Sequence, residues 1–191
     1  MLRAMHGWLA SAPAEIGDGV VTLRRLRRDD VPWLLAGCRD PDVIRWTPIP
    51  EGISGEQIAR WVDGNRNRIA ADSGVDWAVV RSDDGTPLGQ CGLHRLSRQI
   101  GQGEVTYWVM PAARQQGVAT RAVRCMTAFA FDHLGLQRLE LLTLLGNAAS
   151  QAVARRAGFI PEGRRRGALP FKGVRHDVEV FALLPSDLRA Q

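Results

Sequence analysis

Scarcity is the first thing the 191-residue chain shows: it has three cysteines, four histidines, one tyrosine (Tyr107) and one lysine (Lys172). Each shortage removes a class of function. Cys38, Cys91 and Cys125 stand far apart with no CxxC pair. That argues against a disulfide framework or a zinc site, and for free thiols in a reducing compartment. No run of about 18 apolar residues occurs, so no membrane-spanning helix is expected. No Gly-Lys pair occurs, which excludes a Walker A loop. Gly101-Gln102-Gly103 begins like a dinucleotide fingerprint, but Thr106 stands where its third glycine belongs. The segment also precedes a strand rather than a helix, so this reading fails too.

What is present is an ordinary globular composition, with 45% apolar and 24% charged residues. That excludes a disordered or fibrous chain. A chain of this length buries about 70% of its unfolded surface and needs no covalent staple. The net charge is +5, and 24 of the 25 basic residues are arginine. Over the whole chain this reads as a compositional habit. Phosphate recognition by the guanidinium fork is reserved for particular clusters. His6, Gly7 and Pro13 interrupt the early apolar run, so no secretory h-region forms. Residues 1–18 read as a flexible arm, residues 19–191 as one domain, and the location as cytoplasmic.

Strand signals cover 20–26, 77–81, 88–94, 104–110, 138–145 and 178–184. Asp83-Asp84-Gly85 marks a hairpin turn between the second and third of these. Asp29 and Asp30 offer N-cap chemistry to a helix carrying Trp33, Leu34 and Leu35, which Asp40-Pro41 ends. Trp46-Thr47-Pro48-Ile49-Pro50 has too much proline for regular structure. Ser54 and Gln57 form a capping box before a stripe of Ile58, Trp61, Val62 and Ile69. A long helix follows the loop 111–117, with Ala122, Met126, Phe129 and Ala130 inward and Gly135 closing it. Asn147 caps a shorter helix that Gly158 closes, and Arg164-Arg165-Arg166-Gly167 reads as a basic loop. Hairpin strands first and strand-helix-strand units later imply an α/β (α+β mixed) fold with helices on both faces of a mixed sheet.

The informative stretch is 104–135. A strand ends at Met110, a short loop carries Arg114-x-x-Gly117-x-Ala119, and a helix starts at once. Small residues allow close backbone approach. The unpaired N–H groups of the helix start favour an anion such as a pyrophosphate. Arg114 would add a charge-assisted donor.

The run Glu104-Val-Thr-Tyr-Trp-Val-Met-Pro-Ala-Ala-Arg-Gln-Gln-Gly-Val-Ala-Thr resembles motif A of the GNAT superfamily of acyl-CoA-dependent N-acyltransferases. Asn147 to Ser150 with Arg155 to Phe159 resembles motif B, at the right distance and in the right order. Leu23 to Asp30 and the Trp46-Thr47-Pro48 segment resemble the RimJ/RimL branch, and the likeness spans roughly residues 20–185. The resemblance implies the GNAT fold: a central mixed sheet, two of whose strands splay, flanked by helices. The pantetheine arm of acetyl-CoA would lie in the gap against backbone at Trp108, Val109 and Met110. Its pyrophosphate would sit on Gln115, Gln116, Gly117, Val118, Ala119 and Thr120 beside Arg114, and Asn147 would reach the cofactor from the other side. Acyl transfer would be direct, without a covalent enzyme intermediate and without a metal.

An amine attacks only when neutral, so a base helps. Glu104 takes that place by resemblance. The competing reading is a strand-end carboxylate paired with an arginine. The tyrosine that many members carry four residues before Gly-Phe is Ala154 here. Ser150 is therefore the candidate acid for the leaving thiolate, against a plain helix-start hydroxyl. Trp46 and His94 are candidates for the acceptor pocket, although a lone histidine is more often a structural hydrogen-bonder. Acceptors open at this point are a protein N-terminus, a ribosomal protein among them, and a small-molecule amine. Succinyl-CoA remains an alternative donor to acetyl-CoA. A non-catalytic module binding acyl-CoA or RNA remains an alternative role. Relatives in this branch often form homodimers, and the sequence leaves the oligomeric state open.

Overall fold

The computed structural model describes residues 7–188. One eight-stranded sheet runs through it in the order β1-β2-β3-β4-β5-β6-β8-β7. The strands are β1 (Glu15–Gly17), β2 (Val21–Arg25), β3 (Gly74–Arg81), β4 (Pro87–Ser97), β5 (Gln102–Val109), β6 (Arg138–Leu144), β7 (Ile160–Phe171) and β8 (Val174–Leu183). Every neighbouring pair is antiparallel except β5 and β6.

That exception positions the site. β5 and β6 pair only at Gln102–Arg138, Gly103–Leu139 and Glu104–Glu140. Beyond Glu104 they part, while β5 stays paired to β4 as far as Val109 and β6 to β8 as far as Leu144. The expected splay is present, and it opens at Glu104.

The helices are α1 (Val31–Cys38), α2 (Pro41–Trp46), α3 (Gly55–Ala70), α4 (Val118–Ala128), α5 (Ala148–Arg156) and α6 (Pro185–Leu188). Alternation along β5 sends Val105, Tyr107 and Val109 to one face and Trp108 to the other. The first set joins a core with Ala122, Met126 and Phe129 of the α4 side and Ala154 of α5. Trp108 joins a second core with Leu34, Cys38, Val43, Ile58 and Val62 from α1, α2 and α3. Helices therefore cover both faces, as the pattern implies. α2 was not foreseen. Asp40 does not merely end α1; its carboxylate accepts from the N–H groups of Asp42 and Val43 and starts the next helix.

Three other expectations are corrected. Residues 7–18 are not a loose arm. Leu9 is 1% exposed, the Trp8 and Leu9 amides donate to Asp72, the Trp8 indole donates to Leu134 O at 3.0 Å, and β1 pairs with β2. Buried apolar surface and paired backbone outweigh the break-forming composition there. Residues 1–6 lie outside the described residues. The basic run Arg164–Arg166 is not a loop but the middle of β7, where a pairing irregularity falls between Arg165 and Leu169. Asp30 stands at the start of α1 without capping it. Its buried carboxylate accepts instead from both Arg24 Nη atoms (2.7 and 2.8 Å), the Arg27 amide (2.7 Å) and the Trp33 indole (2.9 Å). Burial works against its charge, but these donors hold the carboxyl below its ordinary value.

Candidate active site

The loop after β5 is built from backbone. A short 3-10 turn, Pro111–Ala113, leads into it. Gln115 and Gly117 take left-handed conformations, φ +61° and +76°. Glycine suits the second because only a residue without Cβ adopts it cheaply. α4 begins at Val118. Among the described residues, the six N–H groups from Gln115 to Thr120 donate to nothing, and Gln115, Gln116 and Gly117 are exposed. Six consecutive amides at a helix N-terminus form a cradle of partial positive charge that can hold a diphosphate.

Arg114 does not point into that cradle. Its guanidinium holds Asp42, in the first turn of α2, at 2.9 Å, and Asp40, the cap of that helix, as well. The expected phosphate arginine is thus a strut between the loop and α2. Met110 is also different from expectation. Its N–H is taken by Leu88 O at 2.8 Å. Alternation then turns the Trp108 amide toward β4 and leaves those of Tyr107 and Val109 facing the gap.

Glu104 sits where the strands part. Its side chain is 14% exposed and Oε2 accepts from Arg95 Nη1 at 2.9 Å. Arg95 reaches it from an irregular stretch of β4, where φ is +48°. Burial pushes the Glu104 carboxyl above its ordinary value, more than Arg95 and His94 pull it down, and neighbouring Glu140 adds to the rise. Glu140 shows the opposite balance. Burial raises it, but Arg138 (2.8 Å) and Arg165 (3.1 Å) hold it ionised below its ordinary value. The ion-pair reading of Glu104 is thus observed, and the second oxygen, Oε1, has no partner among the described residues.

His94 lies opposite Glu104 across β4 and β5, and half-buried. Its Nε2 is 3.0 Å from Asp76 Oδ1. Asp76 is a buried hub that no sequence pattern announced. Oδ2 takes the Trp61 indole at 3.0 Å and Arg68 at 2.7 Å, and Oδ1 takes Gln90 at 2.7 Å. Asn65 bonds its backbone at both ends, 2.9 and 2.7 Å. Gly92 makes room, since a Cβ there would lie 2.4 Å from His94 Nε2 and 2.7 Å from Asp76 Oδ1. His94 is therefore anchored from beneath by the floor of this face.

Trp46 ends α2 and packs with Leu144 and Val178, while Val43 of the same helix packs with Trp108. α2 thus bridges the splayed strands on the face that also carries Glu104. On the other face, Asn147 Oδ1 caps α5 by accepting from Ser150 N at 3.1 Å. Ser150 Oγ lies 2.8 Å from the Tyr107 hydroxyl. That pairing joins residues 43 positions apart and was not foreseen. Tyr107 being the only tyrosine was the one available signal. The cysteines offer no nucleophile, since burial pushes Cys38 and Cys125 up to about 11 and Cys91 higher still. No metal-ligating cluster and no helix long and apolar enough to span a membrane occurs among the described residues.

A strand pair splaying at a carboxylate, beside an amide cradle, is the arrangement that the GNAT resemblance implies. Residues 21–160 match the family model described as an acetyltransferase (GNAT) domain, and the chain belongs to that family of N-acetyltransferases. It is 35% identical over 144 residues to YdaF of Bacillus subtilis (strain 168), provisionally named a ribosomal N-acetyltransferase, covering 68% of this chain and 79% of that one. In fold it is similar to Mycobacterium smegmatis RimJ in complex with CoA-disulfide (TM-score 0.81, 22% identity, 97% of this chain and 92% of that one). It is similar also to a spermidine N-acetyltransferase from Vibrio cholerae in complex with CoA and spermine (TM-score 0.77, 17% identity, 89% and 98%). These likenesses agree with the RimJ/RimL-like resemblance.

Proposed function

We propose that the protein transfers an acetyl group from acetyl-CoA directly to a primary amine. The observation that carries this reading is the parting of β5 and β6 at Glu104, next to six unpartnered N–H groups. The residues present fit an acyl-CoA. The amides of 115–120 would hold its pyrophosphate, the gap-facing amides of Tyr107 and Val109 its pantetheine, and the Asn147 side-chain NH₂ a nearby oxygen. Glu104 is the base, through Oε1, and its raised pKa brings it nearer to the amine it must deprotonate. Ser150 is the acid that meets the departing sulfur. The inert cysteines support transfer without a covalent intermediate.

Acetyl is favoured over succinyl by the state of the arginines. Arg95 is paired with Glu104, and Arg138 and Arg165 with Glu140, so each guanidinium there already holds a carboxylate. The acceptor is a protein N-terminus or a small-molecule amine, which enters on the α2 and α3 face past Trp46 and His94. YdaF's name supports the first.

Thiol release tests this, with acetyl-CoA and succinyl-CoA each offered to N-terminal peptides and polyamines, and a thermal melt run beside it. Stabilisation by acetyl-CoA and thiol release with one amine class is the expected result. Stabilisation without turnover across the panel would favour a binding module, and no stabilisation by either donor would overturn the cofactor site.

A further inference from the structure

We propose that Tyr107 is a positioning residue for Ser150: it donates its phenolic hydrogen to Ser150 Oγ and leaves the serine's own hydrogen directed to the gap between β5 and β6. This rests on the reading of Ser150 as the acid. The two oxygens are 2.8 Å apart, a normal O–H···O distance. Tyr107 is half-buried against the core on the α4 side, and a phenol placed there finds an acceptor for its hydrogen. Only two are in reach among the described residues, and both belong to Ser150: Oγ, and the carbonyl at 3.5 Å. The carbonyl is at the limit of a hydrogen bond, so Oγ takes the proton. Burial, against a smaller opposing pull from Ser150, pushes the phenol up to about 12, so Tyr107 keeps its hydrogen at neutral pH.

A serine hydroxyl has one hydrogen and two lone pairs. With one lone pair engaged by Tyr107, the hydrogen is left for another acceptor. The Asn147 cap holds the Ser150 amide and so fixes its backbone in the first turn of α5, while Tyr107 is the partner of its hydroxyl. In the reaction the amine nitrogen bonds to the thioester carbon, and the C–S bond breaks with its electron pair on sulfur. Sulfur takes the Ser150 hydrogen while the Tyr107 hydrogen bond steadies the charge developing on Oγ, where such bonds strengthen. The amine's surplus proton goes to Glu104. Glu104 later returns it to water, and Ser150 regains one from water, so protons balance. Tyr107 thus restores, through a second residue, the tyrosine that Ala154 replaces.

The test compares Tyr107→Phe, Ser150→Ala and the double variant in steady state with acetyl-CoA. Tyr107→Phe should lower kcat about tenfold, the scale of one hydrogen bond, with KM for acetyl-CoA within about twofold. Ser150→Ala should lower it further, and Tyr107→Phe should add nothing in that background. A Ser150→Ala enzyme of full activity would overturn the acid reading and this proposal with it. A slow Ser150→Ala enzyme beside an unaffected Tyr107→Phe enzyme, or losses that multiply, would overturn the positioning alone. Because Tyr107 is the only tyrosine, 3-fluorotyrosine fed to the cells labels this site and no other. Its ¹⁹F resonance should move on Ser150→Ala; an unmoved resonance would overturn the contact without any need for turnover.

Discussion

The two sides of the splayed strands are built differently. The proposed cofactor side is made of backbone: six successive amides, a left-handed glycine and the first turn of α4, all within residues 114–120. The proposed acceptor side is made of side chains from distant elements. Asp76 of β3 gathers Trp61, Asn65 and Arg68 of α3 with Gln90 and His94 of β4. A backbone site depends on chain conformation, so it is encoded locally. A side-chain site depends on which strands become neighbours. On the proposed function, the first kind would bind a feature that every acyl-CoA shares, and the second could vary with the acceptor while the cradle stays fixed.

The sharpest test of that division is Glu104→Gln, at the meeting point. It should lower kcat by about 10²- to 10⁴-fold, the usual weight of a general base, and leave the dissociation constant of acetyl-CoA nearly unchanged. The acid limb of the pH–rate profile should lie above the ordinary glutamate range, because the folded carboxyl is raised. Activity falls as pH drops through that value, and the limb should vanish in the variant. Linkage has a matching sign. A carboxyl raised by burial costs stability when it ionises, so Glu104→Gln should melt higher than the parent at pH 7.

Asp76→Ala should harm the fold rather than the cradle. It leaves Arg68 and the Trp61 indole without their buried partner, which costs about 3–5 kcal/mol. For a chain of this size that lowers Tm by roughly 10 °C. CoA binding measured well below the melt should survive. A variant that loses CoA affinity but not stability would break the separation of the two sides. Gly117→Ala should act chiefly on the cradle: a Cβ at φ +76° costs about 1–2 kcal/mol, little for the whole fold but enough to turn the loop amides away from their shared direction. Calorimetry should show acetyl-CoA bound about tenfold more weakly. The mildest change is Asn147→Ala, which removes the α5 cap and should cost about 1 kcal/mol in a thermal melt.

The same division explains what was legible. Strand alternation, the Ser54 capping box, the Asn147 cap and the closing Gly158 are short-range signals, and the observed elements follow them. The cradle was legible because Gly117 follows a strand and a proline and opens a helix. Glu104 was placed by the resemblance of its run to motif A, and it lies near the start of β5. Arg114 misled, because sequence shows a guanidinium beside the loop but not the Asp40 and Asp42 carboxylates that claim it from another helix. The basic run 164–166 misled because β8 supplies the ladder that turns it into strand. The first described residues misled because Leu9 finds a core only after β1 docks.

By itself the sequence determined most of the strands and helices, the hairpin turn, the helix caps and the amide cradle, but not β1, α2, β7 or α6; the splay was implied by the family resemblance. The features it determined depend on interactions within a few residues, or on a pattern whose conformation is local. Tertiary structure alone decided that Asp76 would anchor His94, that Arg114 would brace α2, and that Tyr107 would meet Ser150. Each joins groups 18 to 74 positions apart. No propensity carries such a pairing, because it exists only once the sheet order has made those strands and helices neighbours.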